Sequence, residues 1–374
     1  MNRLLYVVPD ARFFVTHRMD LAVAAGRAGY EVHVATPDGD EVPNIVAAGL
    51  AWHRVRFGPL RKKPWSDLES VIDLIRLARA LRPALMHNVT FKAVLYGTIA
   101  ARMAGTRGVV NALTGLGEVF DRATLADRFW SRLILLLMRF FVRHERMRMI
   151  VQNAEDLELL IEERALRRED GRLIRGSGVS TDHFRPAERP ASDVPVIAFV
   201  GRLLTTKGVR ELVEASRLLR KEGVRARFVL AGEIDESGGL AISRDDLAAW
   251  EREGLVEYLG YFRDPRPVYA MADIVALPSY REGMPKSLLE AASCALPLVT
   301  SDTPGCRDVV RDGVNGFVVP VRDAKALAGA LATLVRDAAL RGEMGRRGRE
   351  RILAELSIEK VIGATLDVYA ELLR

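Results

Sequence analysis

With 374 residues, 49% hydrophobic and 28% charged, the chain has the make-up of an ordered globular protein large enough for two cores. Two cysteines, Cys294 and Cys306, exclude a disulfide framework or a cysteine-based metal site and suit a reducing cytosol. The net charge of +6 comes without a recognised nucleic-acid-binding motif, so nucleic acid is not expected as a partner.

Residues 4–8 read as a short apolar strand, followed by Pro9-Asp10 and no small-residue cleavage site, so no signal peptide is expected. A helix over 18–28, a strand over 31–36 and an irregular stretch over 52–65 follow. A helix over 67–81 leads to a strand over 84–87, a helix over 91–104 and a strand over 109–113. Residues 122–148 read as helical and basic, with seven arginines against Asp127 and Glu145, interleaved with Phe129, Trp130, Phe140 and Phe141. Such a helix can lie in the headgroup layer of an anionic membrane, or be a core helix with solvated arginines. Its apolar run, Leu133 to Val142, is ten residues interrupted by Arg139, short of the roughly 20 that a membrane span needs. Arg61, Lys62 and Lys63 with Trp65 form a smaller basic cluster. A strand over 150–152, a helix over 153–167 and a strand over 173–174 close the first series.

Residues 176–193 have the Gly, Pro and Ser content of a linker. A second series follows: strand 196–200, helix 207–222, strand 227–231, helix 244–253, strand 256–259 and helix 265–271. Strand 297–300 and helix 323–336 end it. Strands spaced by helical patterns imply parallel sheets covered on both faces, so the fold class is α/β with two doubly wound domains. The boundaries read are 1–185 and 190–356, with a last helix over 357–374.

The richest segment lies between those strands. Residues 273–279 read as a buried strand ending in a turn, and Pro285 is placed at the first position of a helix. Glu282 then sits in a loop at the carboxyl end of a strand, and Glu290 about a turn and a half into the helix. Ligands of open α/β sheets bind at that edge, and helix amino termini favour phosphate. A carboxylate on each side of a phosphate site is suited to accept hydrogen bonds from two sugars, which indicates a nucleotide sugar. Arg202 and Lys207, bracketing a helix start after Gly201, read as a diphosphate clamp that can replace a metal as the leaving diphosphate departs.

A Glu, seven residues and a Glu at this place resembles the retaining glycosyltransferases of family four, which have the GT-B fold. The elements Gly201-Arg-Leu-Leu-Thr-Thr-Lys-Gly208, Val229-Leu-Ala-Gly-Glu233, Tyr258-Leu-Gly-Tyr-Phe-Arg263, Thr303-Pro-Gly-Cys-Arg307 and Asp312-Gly-Val-Asn-Gly316 are similar in order and spacing. In the first half Phe13-Phe-Val-Thr-His-Arg18, Gly29-Tyr-Glu-Val-His33 and Leu113-Thr-Gly-Leu-Gly117 resemble the subgroup that builds capsule and O-antigen glycans. The resemblance implies two Rossmann-like domains facing a central cleft, with residues 357–374 crossing back onto the first. It implies Glu290 on the donor ribose and Glu282 on the transferred sugar, stabilising positive charge on its ring. Gly283, Met284, Pro285 and Lys286 would offer backbone amides beside Ser287, and Tyr261, Phe262 and Arg263 would flank the base. Thr114, with Gly115, stands where many relatives have a histidine. His17, Arg18 and His87 are candidates for the acceptor or sugar side, and Glu233 departs from the usual turn.

The expected activity is retaining, metal-independent transfer of a hexose or N-acetylhexosamine, from a UDP-sugar by preference, to a polyprenyl-diphosphate-linked saccharide. No cofactor is expected, since no Asp-x-Asp donor motif and no His or Cys cluster of ligand spacing is present. The place would be the inner face of a bacterial membrane, touched through 122–148. Alternatives are a non-hydrolysing sugar-nucleotide epimerase, for which no acid/base set stands out, and a non-catalytic sugar-nucleotide-binding partner.

Overall fold

A computed structural model of the chain describes residues 1–58, 64–115, 132, 135–140, 142, 144–188, 194–234 and 240–374. The chain divides into two units, 1–177 with 359–374, and 178–358.

The first unit is built on seven parallel strands, β1 (Asn2–Val7), β2 (Tyr30–Thr36), β3 (Ala51–Arg54), β4 (Leu85–Val89), β5 (Gly108–Leu113), β6 (Met147–Val151) and β7 (Gly171–Leu173), in the order β3-β2-β1-β4-β5-β6-β7. Alternation along each strand supplies two cores. Leu5, Val7, Met86 and Val109 face one, and Leu4, Tyr6, Leu85 and Val110 the other. The helix Ile358–Leu373 completes the second with Val361, Val368, Tyr369 and Leu372. It is tied through Tyr369, whose hydroxyl lies 2.8 Å from that of Tyr6 and 2.5 Å from His87 Nδ1.

The second unit has six parallel strands, β8 (Val196–Val200), β9 (Arg227–Ala231), β10 (Glu257–Gly260), β11 (Ile274–Leu277), β12 (Leu298–Ser301) and β13 (Gly316–Val319), in the order β10-β9-β8-β11-β12-β13. Residues 178–185 belong with this unit. Val179 bridges to Ser357, Phe184 joins the core, and Ser293 Oγ donates to the Phe184 carbonyl at 2.5 Å.

Several local expectations change. The irregular stretch contains β3, an edge strand whose Ala-Trp-His-Arg sequence lacks a buried face. Residues 316–319 form β13, an edge strand opened by glycine. Residues 147 and 148 belong to β6, not to a basic helix. A further helix, Ala11–His17, precedes the one expected from residue 18 and ends at His17; the Asp10 carboxylate caps it by accepting from the Phe13 amide at 2.7 Å. Cys306 is fully buried in the short helix Pro304–Arg307, which the pattern did not indicate, and burial pushes its thiol up to about 12.

Candidate functional site

Winding of the second sheet reverses between β8 and β11, and ligands of such sheets bind outside the strand ends at that point. The loop after β8 carries Gly201 and the exposed Arg202, then the turn Thr205–Lys207. Gly208 passes into the helix Val209–Lys221 at φ 73°, and a Cβ there would lie 2.1 Å from the Pro278 carbonyl oxygen. Only glycine meets both demands, so the turn presses against the end of β11. That approach delivers Lys207, whose Nζ donates to Glu282 Oε1 at 2.5 Å, while Ser279 Oγ donates to the same oxygen at 2.7 Å.

The loop bearing Glu282 is held from two sides. Tyr280 donates its amide to the Thr206 carbonyl at 2.8 Å and its hydroxyl to Glu211 Oε1 at 2.6 Å, with the Arg322 guanidinium 4.6 Å from its ring. Beneath, a Cβ on Gly305 would fall 2.1 Å from the Gly283 carbonyl oxygen, so the Thr303-Pro-Gly element forms the floor of the loop. The motif was visible by its order in the sequence; its supporting job was not.

The helix Lys286–Ser293 starts behind Pro285, which caps it at φ −72°, ψ 119° instead of occupying its first position. Pro285 has no N–H, so it cannot be one of the amides expected here. Its fixed φ sets the direction in which Lys286 and Ser287 begin the helix. Glu290, one turn further, is 7% exposed. Its Oε2 accepts from the Tyr269 hydroxyl at 2.8 Å, and Lys286 Nζ stands 3.8 Å from Oε1. Burial pushes this carboxyl up to about 7, against the opposing pull of Lys286 and of the Tyr269 hydrogen bond. Sequence reasoning did not find Tyr269; the signal is a tyrosine at an otherwise apolar position of the helix Arg266–Met271, immediately before β11.

At the end of β10, Tyr261 and Arg263 are exposed and Phe262 packs against the core; Met284 is half-buried. The Glu233 carbonyl accepts from the Leu203 amide at 2.8 Å, tying the loops after β8 and β9.

In the first unit the candidates have different surroundings. His17 stacks on Phe13 with ring centroids 4.2 Å apart. Arg18 is buried, with its Nε unpartnered, and His87 is buried against Tyr6 and Tyr369. Burial and the Arg18 charge hold the imidazole of His87 well below its ordinary pKa, which keeps it neutral at pH 7. Thr114 and Gly115 are half-buried just past β5. Thr90, directly after β4, has φ 77°, a strained conformation for a β-branched residue and a cost of about 1–3 kcal/mol. The cluster 61–63 and most of 122–148, residues 122–131, 133, 134, 141 and 143, lie outside the described residues. Arg148 pairs with Glu371 at 2.7 Å. Among the described residues no group of His, Cys, Asp and Glu is arranged to hold a metal, and no helix is long and apolar enough to cross a membrane.

Two family models match the chain, "Glycosyl transferase 4-like" over residues 3–143 and "Glycosyl transferases group 1" over 194–337. The capsular polysaccharide biosynthesis glycosyltransferase CapM of Staphylococcus aureus is 25% identical over 339 residues, 86% of this chain and 85% of the relative. The UDP-Gal:alpha-D-GlcNAc-diphosphoundecaprenol alpha-1,3-galactosyltransferase of Escherichia coli is 25% identical over 319 residues, 82% of this chain and 80% of the relative. Among solved structures, sucrose-phosphate synthase of Thermosynechococcus elongatus superposes with a TM-score of 0.82 at 20% identity, covering 100% of this chain and 99% of that one.

Proposed function

The chain belongs to glycosyltransferase family four, and on that premise we propose that it transfers a hexosyl or N-acetylhexosaminyl unit, with retention and without a metal, from a UDP-sugar to a polyprenyl-diphosphate-linked saccharide. Its fold is GT-B, as the sequence led one to expect. The observation that carries the proposal is the Lys207–Glu282 contact at the switch between β8 and β11. It sits one short helix start from Glu290.

In this reading Lys207 exchanges partners. Without donor its ammonium neutralises Glu282; a bound diphosphate attracts it, with Arg202, and frees the carboxylate for the hydroxyls of the transferred sugar. The bond from the anomeric carbon to the diphosphate oxygen breaks, with its electron pair going to the phosphate that Arg202 and Lys207 neutralise. The acceptor hydroxyl attacks the same face, and its proton passes to the departing phosphate oxygen. Glu282 stabilises the positive charge on the ring, and Glu290, held by Tyr269, accepts from the ribose hydroxyls. The bond forms on the face it left, so configuration is kept.

A role in capsule synthesis draws support from the name of one relative, and a diphosphoundecaprenol-linked acceptor from that of another. The test is transfer of radiolabelled sugar from UDP-sugars to extracted lipid-linked saccharides, with the anomeric configuration read by NMR. An acceptor-dependent product of unchanged configuration is expected. A sugar nucleotide altered without acceptor would indicate the epimerase reading instead, and turnover undiminished in Glu282→Ala would end the catalytic assignment.

A further inference from the structure

The first unit carries a concave site away from the edge where β1, β4 and β5 end. It is a hollow of about 770 Å³ near the starts of β5 and β6. The ends of the helices Phe91–Ala104 and Ala154–Glu162 adjoin it. Arg102, Arg107, Arg146, Arg164 and Arg167 line it, together with His144. Glu145 and Asp170 are the carboxylates in its wall. Asp170 is already engaged, by Arg167 at 2.7 Å and by Arg148 at 3.4 Å. Among the described residues Arg102, Arg146 and Arg164 have no carboxylate partner, although each is exposed enough to turn toward one.

Charge balance decides between a solvated basic face and a site. Two helix carboxyl termini attract cations, which gives a bland reason for arginines here. Each terminus is equivalent to roughly half a negative charge, so the pair offsets about one guanidinium. Among the described residues, five guanidinium groups against two carboxylates leave three positive charges, and about two persist after the helix ends are included. His144 adds none, because burial pulls its pKa down. Placing like charges around one hollow raises their mutual repulsion unless an anion enters. Backbone geometry points the same way. Past the end of its helix Gly105 takes φ 69°, the usual glycine solution, whereas Arg164 takes φ 56° in the equivalent place. A side chain is disfavoured there, and this one brings a guanidinium to the wall of the hollow.

We propose that this hollow binds a phosphate group carrying about two negative charges, at a site separate from that of the sugar donor. Arginine forks suit phosphate oxygens in paired hydrogen bonds, and a dianion cancels the uncompensated charge. The phosphate can come from a lipid headgroup at a membrane surface or from a soluble phosphate ester.

The experiment uses the full chain. Inorganic phosphate is titrated calorimetrically at low salt, and vesicles of phosphatidylcholine with and without phosphatidic acid are co-sedimented with the protein. The wild type is expected to bind at least one probe. Arg164→Gly and the double variant Arg102→Glu/Arg146→Glu are expected to bind that probe at least about tenfold more weakly. Arg164→Gly relaxes the backbone, so it should be no less stable, which separates loss of the site from loss of the fold. Binding of phosphate alone assigns a soluble ester, and binding of phosphatidic acid vesicles alone assigns a headgroup. UDP titrations should be unchanged in every variant. Absence of binding to both probes, variants that bind as the wild type does, or a parallel loss of UDP binding would each overturn the proposal.

Discussion

Replacing Glu290 by glutamine should stabilise the protein while removing its grip on nucleotide. The carboxyl is raised by burial from an ordinary 4.5 to about 7. Such a shift favours the protonated form in the folded state. Its stabilising contribution is full below about pH 4.5 and is lost as pH rises through about 7. At 1.36 kcal/mol per pKa unit, ionising the buried group costs the fold about 3 kcal/mol at alkaline pH. Glutamine has the same shape, can still accept from the Tyr269 hydroxyl, and never ionises. Urea unfolding of Glu290→Gln and wild type should therefore nearly coincide at about pH 5 and separate in favour of the variant, by up to about 3 kcal/mol, at about pH 9. UDP affinity, read by calorimetry on the same samples, should fall in the variant, because a carboxylate accepts ribose hydroxyls more strongly than an amide does. This is the stability cost of a binding residue held ready for its ligand. A variant with no alkaline gain in stability would show that the carboxyl is not held in a desolvated, proton-favouring site, and the reasoning would fail.

Lys207→Ala leaves Glu282 with Ser279 alone and removes a diphosphate cation. It should lower kcat/KM at least about 100-fold in the transfer assay and cost about 2 kcal/mol in urea unfolding. Gly208→Ala forces a Cβ to within 2.1 Å of the Pro278 carbonyl oxygen at φ 73°. A loss of about 2–5 kcal/mol is expected, and unaltered stability would mean that the turn does not press on β11. Cys294 and Cys306 are both buried, and the Cys306 thiol is pushed up to about 12. Neither should react with a thiol reagent at about pH 8 until urea unfolds the chain.

The sequence revealed most where local and global signals agree. Residues 196–200 and 228–231 are continuous apolar runs, as strands covered on both faces must be, and they coincide with β8 and, behind its exposed first residue Arg227, β9. The helix Phe91–Ala104 falls on its periodic pattern and stops at Gly105, a left-handed cap. The edge strand β3 escaped because its Ala-Trp-His-Arg sequence has neither alternation nor a continuous apolar run, and β13 because four residues opened by glycine are too short for periodicity to identify. Lys207 and Glu282 were both singled out, but their contact depends on Gly208 meeting Pro278 across 70 residues of chain, which no local pattern records. Tyr269 on Glu290 and Gly305 under Gly283 were missed for the same reason: each is a tertiary partner whose own sequence neighbourhood is ordinary. The helix behind the Asp10 cap is short, and an aspartate three residues before Phe13 is the one local signal of its start.

The most direct measurement is calorimetric titration of UDP into the wild type and into Arg202→Ala/Lys207→Ala. The wild type should bind with a Kd on the order of micromolar, and the double variant at least about tenfold more weakly, the loss of two charge-assisted contacts to phosphate. Equal affinity in the two proteins would contradict a diphosphate held after β8, and with it the site as drawn.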